Sequence, residues 1–93
     1  MPVEVRIPTM LRSHVAGAAT VAVEGSTVRE IVEHLVADHP SLAGQIVTPE
    51  GALHRFVNVY VNDDDIRYLS KLDTKVGPGD TVSILPAVAG GAR

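Results

Sequence analysis

The run Thr27-Val28-Arg29-Glu30-Ile31-Val32-Glu33-His34-Leu35-Val36 carries the signature of an amphipathic helix, and the rest of the chain is organised around it. Val28, Ile31, Val32, Leu35 and Val36 fall at i, i+3, i+4, i+7 and i+8 and form one apolar stripe. Arg29, Glu33 and His34 lie off that stripe. Thr27 and Glu30 have the spacing of a capping box, in which each side chain satisfies a backbone N–H at the helix start, and the threonine cap contributes about 1 kcal/mol. Pro40 stops the helix, because its ring disfavours helical backbone at the residue before it. A helix with one apolar face needs a surface to cover, and the flanking sequence supplies strands.

Val3-Glu4-Val5-Arg6-Ile7 alternates apolar and polar residues with period two, which predicts a half-buried strand facing inward through Val3, Val5 and Ile7. Pro8 ends it. After a loop of about ten residues containing Gly17, long for a hairpin, a second alternating run follows, Thr20 to Glu24, closed by Gly25. Beyond the helix, residues 41–55 read as a loop with one helical turn and a Pro49-Glu50-Gly51 corner. Phe56 to Asn62 predicts a strong strand with Val57, Val59 and Val61 on one face. Asn62 to Asp65 reads as a turn, Ile66-Arg67-Tyr68 as the start of a short edge segment, and Gly77 to Asp80 as a turn into the final strand, Thr81 to Leu85. Strands framing a single helix predict an α+β, ubiquitin-like β-grasp: a mixed sheet with one main helix across it. In that order the last strand pairs beside the first, in the middle of the sheet.

Ninety-three residues suit one domain. With one Phe, two Tyr and no Trp, the core must be built from Val, Ile, Leu and Ala. Cysteine is absent, which removes disulfides, thiolate metal sites and a cysteine nucleophile; any sulfur chemistry must use sulfur from outside. The net charge of −3 and the scattered Lys and Arg argue against nucleic-acid binding. No signal peptide and no membrane span are expected, because Glu4 and Arg6 interrupt the N-terminal apolar run and no stretch approaches ~20 apolar residues. The expected location is the cytoplasm.

The chain divides into an expected domain, residues 1–86, and an expected flexible tail, Ala87-Val88-Ala89-Gly90-Gly91-Ala92-Arg93. The tail has no aromatic residue, no turn-forming Asn or Asp and no helical pattern. Gly90-Gly91 has no Cβ, so its backbone suits a channel too narrow for any side chain. From Pro86 to Gly91 an extended chain reaches about 17–20 Å at ~3.3 Å per residue, enough to enter a partner's buried site while the folded body stays at the rim.

Three blocks, Val5 to Arg12, Arg55 to Arg67, and Gly79 to Gly91, together with the helix, resemble the ThiS/MoaD ubiquitin-like sulfur carriers, most of all the branch serving cysteine biosynthesis. The resemblance implies that the chain has no catalytic activity or cofactor of its own. It implies that the carboxylate of Gly91 is adenylated by an ATP-dependent enzyme of the MoeB/ThiF type and converted to a thiocarboxylate. It further implies a PLP-dependent cysteine synthase that consumes the sulfur and a JAMM-type zinc metalloprotease that releases cysteine. The tail residues Ala87, Val88, Ala89, Gly90 and Gly91 would enter these partners' active sites, and the free protein would be a monomer. The chain departs from the family pattern in one respect: Ala92-Arg93 follows Gly91. A terminal glycine therefore requires cleavage between Gly91 and Ala92, and the JAMM-type protease is the expected agent.

In the final strand, Val82 and Ile84 should face inward, placing Leu85 on the outer face; the same alternation points Phe56 and Tyr60 outward. Phe56, Tyr60 and Leu85, extended by Leu69, form the expected docking patch, a face that the family uses for its activating enzyme. The alternative is that Phe56 and Leu85 pack beneath the loop of residues 41–55. Asp63, Asp64 and Asp65 lack calcium-loop spacing and read as a solvated turn. His14, His34, His39 and His54 lack the His-x-x-x-His spacing of a helical metal site and read as surface residues. The serines have no nucleophile-elbow context, and no lysine follows Gly77-Pro78-Gly79 to make a phosphate loop.

Three function classes remain: a thiocarboxylate sulfur carrier, for cysteine or for molybdopterin, thiamin or a specialised metabolite; a ubiquitin-like covalent protein modifier; and a noncovalent binding module. The first two share an activated glycine, and only the third leaves the diglycine idle.

Overall fold

A computed structural model describes residues 2–50, 52–54 and 57–86 of the chain. Its strands are β1 (Pro2–Arg6), β2 (Thr20–Glu24), β3 (Val57–Val61), β4 (Asp64–Asp65) and β5 (Thr81–Pro86). They form one sheet in the order β2-β1-β5-β3-β4. β1 runs antiparallel to β2, with Val5 opposite Val21, and parallel to β5, with Val5 opposite Val82. β3 runs antiparallel to β5, with Val59 opposite Ile84. The main helix, α1 (Val28–Asp38), buries Val28, Ile31, Val32 and Leu35 in the same cluster as Val3, Val5, Val59, Val82 and Ile84 from the sheet. This is the mixed β-grasp sheet that the alternating strands and single helical stripe predict, with the last strand central.

The start of α1 departs from the expected capping box in one detail. The Thr27 hydroxyl accepts a hydrogen bond from the Glu30 N–H at 3.2 Å, as the spacing requires. The Glu30 carboxylate, however, accepts from Ser26, from its N–H at 2.8 Å and its hydroxyl at 2.9 Å. Ser26 offers two donors where Thr27 would offer one. These bonds hold the Glu30 carboxyl below its ordinary value of 4.5.

Two connections carry more structure than alternation reveals. Thr9–Val15 forms a 3-10 helix that buries Leu11 and Val15 and ends in left-handed Ala16 and Gly17. Within residues 41–55, Pro40–Leu42 forms a 3-10 turn leading directly into α2 (Ala43–Ile46), and Leu42 and Ile46 are fully buried. Pro40 therefore both ends one helix and starts the next turn, where its missing N–H is no loss.

The expected edge segment at Ile66-Arg67-Tyr68 is a 3-10 turn instead, and the edge strand is β4, one step earlier. Asn62, at φ 58°, turns the chain early enough for Asp64 and Asp65 to pair with Val61 and Tyr60. Asp65 is accordingly not part of a solvated turn. Only 8% exposed, it accepts from the Arg67 N–H at 2.9 Å and from the Arg67 guanidinium Nη2 at 2.8 Å. Those bonds bend the chain out of the strand, and they push the Asp65 carboxyl down and the Arg67 guanidinium up.

Candidate functional site

The central position of β5 decides what surrounds the root of the tail. β1 pairs with β5 only through Glu4, Val5 and Arg6, opposite Thr81, Val82 and Ser83. β3 continues alongside to Val57, opposite Pro86. Past Ser83, Ile7, Pro8 and Thr9 line a groove together with Ile84 and Leu85. This groove lies open between the 3-10 segment from Thr9 and the outer sheet face, with a volume of about 960 Å³, floored by Tyr60, Ser83 and Leu85 and walled by Pro8, Met10 and Arg12.

Alternation along β5 places its side chains as the sequence indicates. Val82 and Ile84 are buried against the helix side, and Leu85 is 43% exposed on the outer face. Tyr60 opposes Ser83, is half-buried, and lines the same groove as Leu85. Leu85 is therefore not packed beneath the loop of residues 41–55; Leu53 of that loop packs against the core. Leu69 is exposed but follows the 3-10 turn after β4 and does not line the groove, so the structure does not join it to Tyr60 and Leu85. Phe56 and the tail residues Ala87, Val88, Ala89, Gly90, Gly91, Ala92 and Arg93 lie outside the described residues.

Sequence alternation misses the other wall of the groove. Met10 is 66% exposed, and Arg12 is held by a hydrogen bond from its Nε to the Ile7 carbonyl at 3.0 Å. The available signal was the pair Leu11 and Val15, four apart, whose burial turns Met10 outward. Cations from Arg6 and Arg12 and the anion of Asp63 edge the groove, giving it a polar rim around an apolar floor.

The remaining candidates have local structural partners. His14 Nδ1 and the Ser41 hydroxyl are hydrogen-bonded at 3.0 Å, tying the first 3-10 segment to the second. His34 Nδ1 bonds the Glu24 carbonyl, tying α1 to the end of β2. Among the described residues no three His, Cys, Asp or Glu side chains could hold a metal ion together. No helix among them is long and apolar enough to cross a membrane.

Comparison with known proteins agrees with this geometry. The chain is 45% identical to the sulfur carrier protein CysO of Mycobacterium tuberculosis, over 98% of its own length and 100% of the relative's. Among solved structures it matches a chain of the Amycolatopsis orientalis BexX/CysO complex with a TM-score of 0.85 and 48% identity, covering 96% of this chain and 99% of that one. The solution structure of small archaeal modifier protein 1 from Methanosarcina acetivorans matches with a TM-score of 0.86 at 28% identity, over 97% and 96% of the two chains. The family model described as the ThiS family matches residues 5–91, from the first strand through the diglycine and stopping short of Ala92-Arg93. Sequence, sheet order and that match converge: the chain belongs to the ThiS family.

Proposed function

We propose that this protein is a sulfur carrier whose reactive group is the carboxylate of Gly91, exposed by removal of Ala92-Arg93. The observation that carries the reading is the placement of β5. The central strand ends at Pro86 beside an apolar groove, and the family match runs on to Gly91. The folded body would dock through Tyr60 and Leu85, with Phe56 as a further candidate, while Ala87 to Gly91 reaches into the partner. The protein acts as a cosubstrate and supplies no catalytic group.

The chemistry follows from a free glycine carboxylate. It attacks the α-phosphate of ATP on a MoeB/ThiF-type enzyme, releasing pyrophosphate and forming an acyl-adenylate. A sulfur nucleophile displaces AMP and leaves the thiocarboxylate. The similarity to CysO supports cysteine as the product. There a PLP-dependent cysteine synthase would supply an aminoacrylate, to which the thiocarboxylate sulfur adds. Transfer of the acyl group from sulfur to the new amino group gives a peptide-linked cysteine. A JAMM-type protease would hydrolyse that bond, regenerating the Gly91 carboxylate, and the same protease is the candidate for removing Ala92-Arg93.

Reconstitution with a JAMM-type protease, an adenylating enzyme, ATP and sulfide tests this reading by intact mass. The expected product ends at Gly91 with one oxygen replaced by sulfur. A thiocarboxylate that retains Ala92-Arg93, or loading that survives deletion of Gly90 to Arg93, overturns it. A second reading, covalent protein modification, is favoured by the likeness to the archaeal modifier protein. Isopeptide-linked adducts recovered from cells under denaturing conditions would support it, and their absence alongside a loaded carrier would refute it.

A further inference from the structure

A second groove lies away from the face that holds Leu85. It occupies about 400 Å³ at the other edge of β3, lined by Leu53, Val57, Ile66 and Leu72, with Arg67 and Lys71 at its rim. It exists because β4 is short. β4 pairs with β3 only opposite Tyr60 and Val61, so among the described residues no strand faces Val57 to Val59 on the side away from β5.

The backbone on that side is arranged to receive one. In an antiparallel pair, alternate residues direct both backbone groups toward the same neighbour. The Asn62 N–H donates to the Thr81 carbonyl at 2.7 Å, so Asn62, Tyr60 and Asn58 address β5. Val57 and Val59 therefore address the other side, and the Val57 N–H is already used by the His54 carbonyl at 2.9 Å. The Val57 carbonyl and the Val59 N–H are left facing the groove. An incoming antiparallel strand with one residue opposite Asn58 would use the two residues flanking it, one donating to the Val57 carbonyl and the other accepting from the Val59 N–H.

Charge selects the kind of strand. Arg67 is neutralised by Asp65 at 2.8 Å, whereas Lys71 has no ion pair among the described residues. The rim thus carries an uncompensated cation in a chain whose net charge is −3. Apolar side chains floor the groove and an open β-edge runs along it. We infer that the β3 edge is a docking site for an extended, acidic segment of a partner protein, added as a strand opposite Asn58, with an apolar side chain in the groove and a carboxylate on Lys71. This surface is separate from the groove around Leu85, so a partner held here leaves the tail root accessible.

The test uses the full chain, isotope-labelled, titrated with the acetylated peptide Asp-Glu-Val-Ile-Val-Asp and with its lysine-substituted counterpart Lys-Lys-Val-Ile-Val-Lys. The acidic peptide is expected to shift the amide signals of Asn58, Val59 and Lys71, to slow exchange of the Val59 amide, and to leave Met10 and Arg12 on the wall of the first groove unmoved. Lys71→Asn should weaken binding about twofold to fivefold. Asparagine tolerates the left-handed backbone at Lys71, φ 54°, so the fold is retained. Lys75→Asn, whose lysine does not line the groove, should bind as the unsubstituted chain does. No shift at millimolar peptide, equal binding of the basic peptide, shifts centred on Met10 and Arg12, or unchanged binding by Lys71→Asn overturns the inference.

Discussion

Ile84 and Leu85 are neighbours on the strand that leads to the tail, and the structure buries the first while leaving the second partly open. Ile84 is 1% exposed, between β1 and β3 on the helix side. Ile84→Ala removes a fully buried branched chain and should destabilise the fold by about 2–5 kcal/mol. Leu85 has 43% of its surface still open to solvent. Burial of a whole leucine side chain contributes about 1.5–3 kcal/mol, so the part already covered accounts for about 0.9–1.7 kcal/mol of folding. The exposed part leaves about 0.6–1.3 kcal/mol to be gained when a partner covers it, equivalent to a threefold to tenfold change in Kd. Urea denaturation of both variants, with titration calorimetry of Leu85→Ala against the adenylating enzyme, separates the two quantities. Ile84→Ala should shift the denaturation midpoint strongly, and Leu85→Ala should shift it little while weakening the complex. Equal stability losses would mean that the facing of β5 is misassigned. An unchanged Kd for Leu85→Ala would remove the outer face from the docking surface.

Two further outcomes follow from the start of α1. The Glu30 carboxyl is depressed in the folded state by its bonds from Ser26, so its stabilising contribution is complete above the unfolded value near 4.5 and is lost as pH falls through the lower folded value. Urea midpoints taken from about pH 6 down to 3 should fall less steeply for Glu30→Gln than for the unsubstituted chain, and parallel curves would refute the linkage. At Gly25, a Cβ would sit 2.9 Å from the Ile31 side chain and 3.1 Å from the Ile31 backbone nitrogen. Gly25→Ala should therefore cost about 1–3 kcal/mol by overpacking, read as a lowered thermal midpoint, and a neutral result would show that the β2–α1 corner can open.

The parts of this fold that were legible in the sequence are those with a period. Val28 to Val36 repeats at helical spacing, and Val3, Val5 and Ile7 repeat at strand spacing, so the helix and the central strands could be read residue by residue. The same alternation placed Tyr60 and Leu85 on one outer face. β4 was illegible because two residues have no period, and its position depends on Asn62 adopting a left-handed turn. Asp65 looked like one of three equivalent solvated acids, and only the return of Arg67 distinguishes it. Leu69 was grouped with the docking patch because the 3-10 turn that carries it away from the groove is not visible as a pattern. Met10 and Arg12 were missed for a tertiary reason: they become part of the groove only when Leu11 and Val15 fold the connection over the sheet.

The parallel ladder between β1 and β5 also has a mechanical consequence. The tail leaves from a strand bonded on both flanks, to β1 on one side and to β3 on the other. A pull on the tail along the strand axis loads both ladders in shear, many hydrogen bonds together, whereas an edge strand such as β2 would peel one bond at a time. If an enzyme draws the terminus into its active site, as proposed, the body would therefore behave as a rigid stop. The same anchoring would make the terminus a poor handle for machinery that unfolds proteins by traction.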